Sequence, residues 1–331
     1  MRSIWPGNDR HQFTLVILIL VGSIVGVAWN NRSIAADTTE WSKETVVYKT
    51  VGTTEIHADL FRRNGSTVRP ALVWIHGGAL ILGNRESVPN NLSKLCQKEN
   101  YVLVSIDYRL APEVKLPEII EDVKDAFRWI RSDGARRFFI DPQKIAVAGG
   151  SAGGYLTMMT GICVEPRPVA LVAFYGYGDV DGPWYAEPSP HYRQQALVSR
   201  DEAYSLVNQG VTTGDKSQPR GKYYLYLRQN GLWPEEVTGF DPATQRDKLD
   251  PYCPVRNITA DYPPILMVHG TADDDVPYQE SVDMANALKA KGVTHELITI
   301  EGGGHGLGGG DKQKIEDAQH RALAFIRERL N

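Results

Sequence analysis

Cysteine is scarce in this chain of 331 residues: there are three, Cys96, Cys163 and Cys253, and none stands in a Cys-x-x-Cys pair. That argues against a thiolate metal centre and against a disulfide framework, leaving room for one bridge. Clustered positive charge is missing too. The 36 Lys and Arg are scattered among 40 Asp and Glu, for a formal net charge of −4, so no basic stripe offers a surface to nucleic acid. No acidic tail signals disorder, and no internal repeat is visible. An EF-hand ligand pattern is absent after the acidic run at 273–275, which leaves no expected metal.

Long apolar runs are also rare, and the one that stands out lies at the start. Arg2 and Arg10 precede TLVILILVGSIVGVA (14–28), followed by small-x-small sites at Ser33-Ile34-Ala35 and Ile34-Ala35-Ala36. A basic start, an apolar stretch of about 15 residues and a small-residue site describe a secretory signal peptide. A membrane span wants about 20 apolar residues, so contact with a membrane is expected only if this leader stays uncleaved. Residues 1–36 are therefore set apart from the fold, and a secreted or periplasmic protein is expected. Residues 37–331 read as one domain, with 42% of the whole chain hydrophobic and able to fill a core.

In that domain TVVYKTV (45–51) and TEIHADLF (54–61), joined by Gly52-Thr53, read as a hairpin. Then ALVWIHGG (71–78), YVLVSIDY (101–108), KIAVAGG (144–150), PVALVAFYG (168–176), PPILMVHG (263–270) and HELITIEGG (295–303) form short runs rich in Val, Ile and Leu. Runs with little alternation fit strands covered on both faces, as in a parallel sheet. Helical segments are predicted between them, near 88–99, 117–133, 152–164, 277–291 and 312–330. The clearest is LPEIIEDVKDAFRWIRSDG, with Pro117 at its start and Gly134 read as its stop. The alternation predicts an α/β fold with about eight strands, mostly parallel. Residues 179–255 break the rhythm. They are rich in Trp and Tyr, and they read as an insertion that serves as a lid or binding wall, or packs on itself.

Chemistry concentrates in AGGSAGGYL (148–156), where Gly149-Gly150-Ser151-Ala152-Gly153 matches G-x-S-x-G between a strand and a helix. A serine exposed at such a sharp turn is a nucleophile candidate, and the glycines two positions away on either side spare the turn a clash. The stretch holds no G-x-G-x-x-G, which speaks against a dinucleotide site. A serine hydroxyl needs a base within hydrogen-bond reach. His305, in the loop EGGGHGLGGG (301–310) after the last strand, is the candidate. His76 and His269, at strand ends, are candidate neighbours. The base in turn needs a carboxylate. The loop TADDD (271–275), after the strand PPILMVHG, offers Asp273, Asp274 and Asp275 in the chain order Ser, Asp, His.

With these motifs the sequence resembles the α/β-hydrolase superfamily, in particular the esterase branch related to hormone-sensitive lipase and to small acetyl- and feruloyl-esterase-like enzymes. The resemblance covers nearly all of 45–331 and rests on HGGAL (76–80), DYRLAP (107–112), GGSAGG (149–154) and HGTADDDVP with the later GGGHG. The last part is also similar to the catalytic domain of prolyl-oligopeptidase-type peptidases. Residues 37–44 alone separate the leader from the first strand, so no large gating domain is expected there, which favours an esterase. The resemblance implies Ser151, His305 and Asp273 as a triad. Asp273 is chosen because the family's acid stands three residues after the strand's final Gly270, with an apolar residue, here Val276, three further on.

The resemblance also implies an oxyanion hole from the backbone N–H groups of Gly78, Ala79 and Ala152, with Gly77 as an alternate donor. It implies a small ester substrate and no cofactor. Asp107-Tyr108-Arg109 is expected to be structural support. Asp274 and Asp275 are expected in solvent at the start of the next helix, where the helix dipole favours acids. A non-catalytic binding protein of the same fold is the remaining alternative; the presence of all three triad residue types speaks against it.

Overall fold

The central apolar runs become strands because each can be buried from both sides. The computed structural model describes residues 40–207, 210–214 and 220–331; the expected leader at 1–36 lies outside them. The strands are β1 (Trp41–Val51), β2 (Thr54–Arg63), β3 (Arg69–Ile75), β4 (Val102–Ile106), β5 (Ile140–Gly150), β6 (Ala170–Phe174), β7 (Ile265–Gly270) and β8 (His295–Ile300). They form one sheet in the order β1-β2-β4-β3-β5-β6-β7-β8. The β1–β2 and β2–β4 pairs are antiparallel, and every later pairing is parallel.

Helices cover both faces: α1 (Asn90–Glu99), α2 (Leu116–Trp129), α3 (Ala135–Phe138), α4 (Ala152–Cys163), α5 (Pro183–Ala186), α6 (Arg200–Tyr204), α7 (Arg220–Asn230), α8 (Trp233–Thr238), α9 (Arg246–Leu249), α10 (Tyr278–Ala290) and α11 (Lys312–Leu330). Alternate residues of β3 divide between two cores. Ala71, Val73 and Ile75 join the core that holds α2, α4 and α10. Leu72 and Trp74 join the one that holds α1 and α11. A fully buried aliphatic side chain contributes about 1.5–3 kcal/mol, so a polar residue on either face of the central strands would forfeit a similar amount. That is why these strands read as unbroken apolar runs.

Gly134 does not stop the second helix. Its φ of −59° and ψ of −48° are ordinary helical values. The chain passes from α2 through a π-type turn at Ile130–Gly134 into α3, and ends only where Phe139 turns left-handed, φ 56°. A Cβ at Gly134 would lie 3.0 Å from the Trp129 ring. The residue is small because of a neighbour and not because of a cap.

Residues 175–264 between β6 and β7 hold α5 to α9 and pack largely through rings. Tyr185 stacks between Trp184 at 3.6 Å and Trp233 at 3.8 Å. The segment is also tied to the rest of the fold. Trp233 Nε1 donates to the Ala79 carbonyl (3.1 Å). Glu280 of α10 accepts from the N–H groups of Gly178 and Asp179. Burial, with the neighbouring Asp179 carboxylate, pushes the Glu280 carboxyl up to about 8. The three cysteines are free.

Candidate active site

The end of β5 and the start of α4 meet at Ser151, whose φ of 55° and ψ of −124° lie outside the comfortable regions for a residue with a side chain. The strain persists because the surroundings fix the turn. Ser151 N–H donates to the Phe174 carbonyl at 2.9 Å, and its own carbonyl accepts from Tyr155 N–H at 3.0 Å. Neighbouring glycines let the backbones close in. A Cβ on Gly149 would sit 2.2 Å from the Gly153 carbonyl oxygen, and one on Gly153 would sit 2.1 Å from that of Ile75.

His305 Nε2 lies 3.0 Å from Ser151 Oγ. On the other side of the ring, Nδ1 lies 2.9 and 3.1 Å from the two carboxylate oxygens of Asp273. Residues 151, 273 and 305, far apart in sequence, thus form one hydrogen-bonded line. With Nδ1–H donating to the carboxylate, Nε2 is left as an acceptor for the serine hydroxyl, the arrangement a general base requires. Asp273 Oδ1 also accepts from the N–H groups of Asp275 and Val276. Val276 is fully buried and anchors the loop. Burial alone would raise the Asp273 carboxyl. Hydrogen bonds from His269 and His305, the His305 charge and the Val276 N–H outweigh that and hold it well below the usual carboxylate range. For His305 burial acts downward, but the Asp273 hydrogen bond and the charges of Asp275 and Asp273 win, so its pKa lies above the ordinary 6.5.

The HGG loop after β3 lies against this turn. A Cβ on Gly77 would be 2.6 Å from the Gly150 carbonyl oxygen and 3.2 Å from Ser151 Cβ. Gly78 has φ 113°, and a Cβ there would strike the Leu82 carbonyl at 2.1 Å, so glycine is required. Ala79 and Leu80 follow with φ 55° and 63°. Among the described residues no group accepts from the N–H of Gly78 or Ala79. That of Ala152, the first residue of α4, is one of the donors that helix geometry leaves open. These amides are available to an anion.

His76 and His269 are both buried beside this loop cluster. His76 is fully buried, stacks on Tyr108 at 4.3 Å and is lowered to about 4 by burial, so it stays neutral. Its Nδ1 lies 2.8 Å from the Gly77 carbonyl. His269 bridges Ser281 Oγ and the Val276 carbonyl. In DYR, Asp107 accepts from Arg85, Tyr108 donates to the His76 carbonyl and Arg109 pairs with Asp122.

One expectation fails. Asp275 is not a solvated helix-start residue. Its side chain is 15% exposed and pairs with Arg228 at 2.6 Å. It accepts from Tyr224 OH at 2.5 Å and brings Oδ2 to 3.5 Å from His305 Nε2. The cause is the insertion: Arg228 of α7, with a side chain only 2% exposed, needs a counter-charge inside the protein. No local signal in TADDD discloses a partner on a helix that comes before β7. Asp274 does face solvent, 70% exposed.

Against known proteins, a family model described as the alpha/beta hydrolase fold matches residues 72–308. Among solved structures, a protein of unknown function from Staphylococcus aureus subsp. aureus Mu50 superposes with a TM-score of 0.70 at 23% identity, covering 88% of this chain and 100% of that one. A truncated carbohydrate esterase from gut microbiota gives 0.62 at 24%, with 89% and 98% covered. The butyrate-bound thermophilic esterase of Thermogutta terrifontis gives 0.60 at 24%, with 86% and 93% covered. At these identities the likeness is one of fold. The non-reducing polyketide synthase stbA of Stachybotrys bisbyi is 29% identical over 322 residues, 86% of this chain, and the match spans only 14% of that synthase.

Proposed function

Because the chain belongs to the α/β-hydrolase fold family, we propose that it is a serine hydrolase that cleaves carboxylic esters through an acyl-enzyme on Ser151. The observation that carries this reading is the continuous hydrogen-bonded line from Ser151 Oγ through His305 to Asp273. Ser151 Oγ attacks the ester carbonyl while His305 Nε2 takes its proton, and Asp273 stabilises the imidazolium that results. The carbonyl oxygen becomes an oxyanion held by the N–H groups of Gly78, Ala79 and Ala152. One such donor is worth about 10²–10³ in kcat. The imidazolium then gives its proton to the departing alcohol. Water, deprotonated by the same imidazole, attacks the acyl-enzyme and frees the acid.

An ester is favoured over an amide because a departing alkoxide needs less help from the acid than a departing amine. Two of the similar solved proteins are also named as esterases. The test is a short-chain p-nitrophenyl ester assayed beside a dipeptide amide. Ester turnover far above amide turnover is expected; the reverse ranking would favour a peptidase.

The pH profile follows from His305. Its protonated form cannot accept the serine proton, and Asp273 and Asp275 hold its pKa above 6.5. The value of kcat/KM for the ester should therefore rise through a single ionisation above pH 6.5 and then level. A rate unchanged from pH 5 to pH 8 would contradict His305 as the base.

A further inference from the structure

We propose that Asp275 reads the alcohol side of the ester by accepting a hydrogen bond from a hydroxyl on the departing alcohol, so that the substrates are esters of polyhydroxylated alcohols. This rests on the ester-hydrolase reading above and specifies its substrate class. His305 Nε2 must reach the leaving oxygen, and Asp275 Oδ2 stands 3.5 Å from that same nitrogen. Whatever the leaving oxygen carries on its next carbon is brought up to this carboxylate.

The carboxylate is held rigidly in that position. Oδ1 is occupied by Tyr224 OH and Arg228 Nη1, Arg228 also grips the Asp275 carbonyl, and Tyr192 OH donates a further hydrogen bond to the carboxylate. The guanidinium is itself fixed among the rings of Tyr185, Tyr192, Trp184 and Tyr224, 4.8 to 5.8 Å from their centroids. Oδ2 is the oxygen turned to the reacting groups.

The space beside it has matching character. A cavity of about 480 Å³ is bordered by Asp275, Trp184, Glu187, Ser189, His191 and Arg228. Its wall also includes Pro183, Pro188, Pro190 and Pro277, and a polyol presents both carbon faces for these rings and hydroxyls for the polar groups. An aliphatic alcohol seated there would strip water from the carboxylate and return no hydrogen bond. Sites built around a buried polar group discriminate strongly against a ligand that lacks the partner.

The test compares glycerol monoacetate with propyl acetate, which share the acyl group and the length of the alcohol. Wild type should prefer the glycerol ester by about tenfold or more in kcat/KM, mostly through KM, the scale of one hydrogen bond to a charged group. In Asp275→Asn, Tyr224 and Arg228 keep the side-chain oxygen on their side and turn the NH₂ toward the alcohol. The NH₂ can donate to that hydroxyl only as a neutral hydrogen bond, so the preference should fall several-fold below that of wild type. Phosphonylation of Ser151 counts the intact sites of each preparation.

A wild-type ratio near one, with both esters turned over, overturns this inference and leaves the hydrolase reading standing. So does an Asp275→Asn enzyme that slows both esters by the same factor, since Asp275 would then act only through His305. Should the variant fail to fold, free glycerol must still inhibit wild type more strongly than free propanol, and equal inhibition would sink the proposal. If neither ester is turned over and Ser151 takes no label, the hydrolase reading fails and this one with it.

Discussion

Replacing Ser151 with alanine is expected to lower kcat for a short-chain ester by about 10⁶-fold, down to a residual rate that still exceeds the uncatalysed one. The residue's structural duties lie in its backbone, with the N–H on Phe174 and the carbonyl on Tyr155. Alanine keeps both, and the glycines at 149 and 153 still admit the turn. The hydroxyl hydrogen-bonds only to His305 Nε2 among the described residues, so its loss should leave the melting temperature nearly unchanged while removing nearly all turnover. The residual rate would come from the amides near Gly78, Ala79 and Ala152, which can still polarise a carbonyl. Ester turnover surviving at more than a per cent or so of wild type would mean that another group is the nucleophile.

Asp273→Asn should cost about 10⁴ in kcat. The Asp275 and Val276 N–H groups hold Oδ1 as an acceptor. The amide oxygen therefore stays there, and the new NH₂ takes the place of Oδ2, 2.9 Å from His305 Nδ1. Two donors cannot face each other, so the ring moves its proton to Nε2 and can no longer accept from Ser151. Asp275→Asn leaves Nδ1 and its partner untouched, and on a p-nitrophenyl ester it should cost at most about tenfold. Side-by-side kcat measurements on the two variants decide the matter. Losses of equal size would show that the acid has been placed on the wrong member of the run 273–275.

The sheet was legible because its central strands are covered on both faces, which leaves short Val, Ile and Leu runs that stand out from the rest of residues 37–331. The turn at Ser151 was legible for a different reason. Steric crowding there demands Gly149 and Gly153, and the demand is written as a local pattern. His305 and Asp273 could be named only through the order of strands and the family resemblance, because each meets its partner across the sheet edge. Gly134 misled because a small residue beside a ring looks, in sequence, like a small residue at a cap. Asp275 misled because its partner Arg228 belongs to the insertion, where aromatic packing has no period to read. Long-range charge pairs of this kind leave no trace in either local stretch.

The central claim is that Ser151 is the nucleophile that carries the acyl group. The most direct measurement is to treat the wild-type protein with a fluorophosphonate at the pH of the activity plateau and locate the adduct by peptide mass spectrometry. One phosphonyl group per chain, on the peptide containing Ser151, with loss of ester turnover in proportion to labelling, is the predicted result. Full turnover after stoichiometric labelling, or an adduct on any residue other than Ser151, would contradict it.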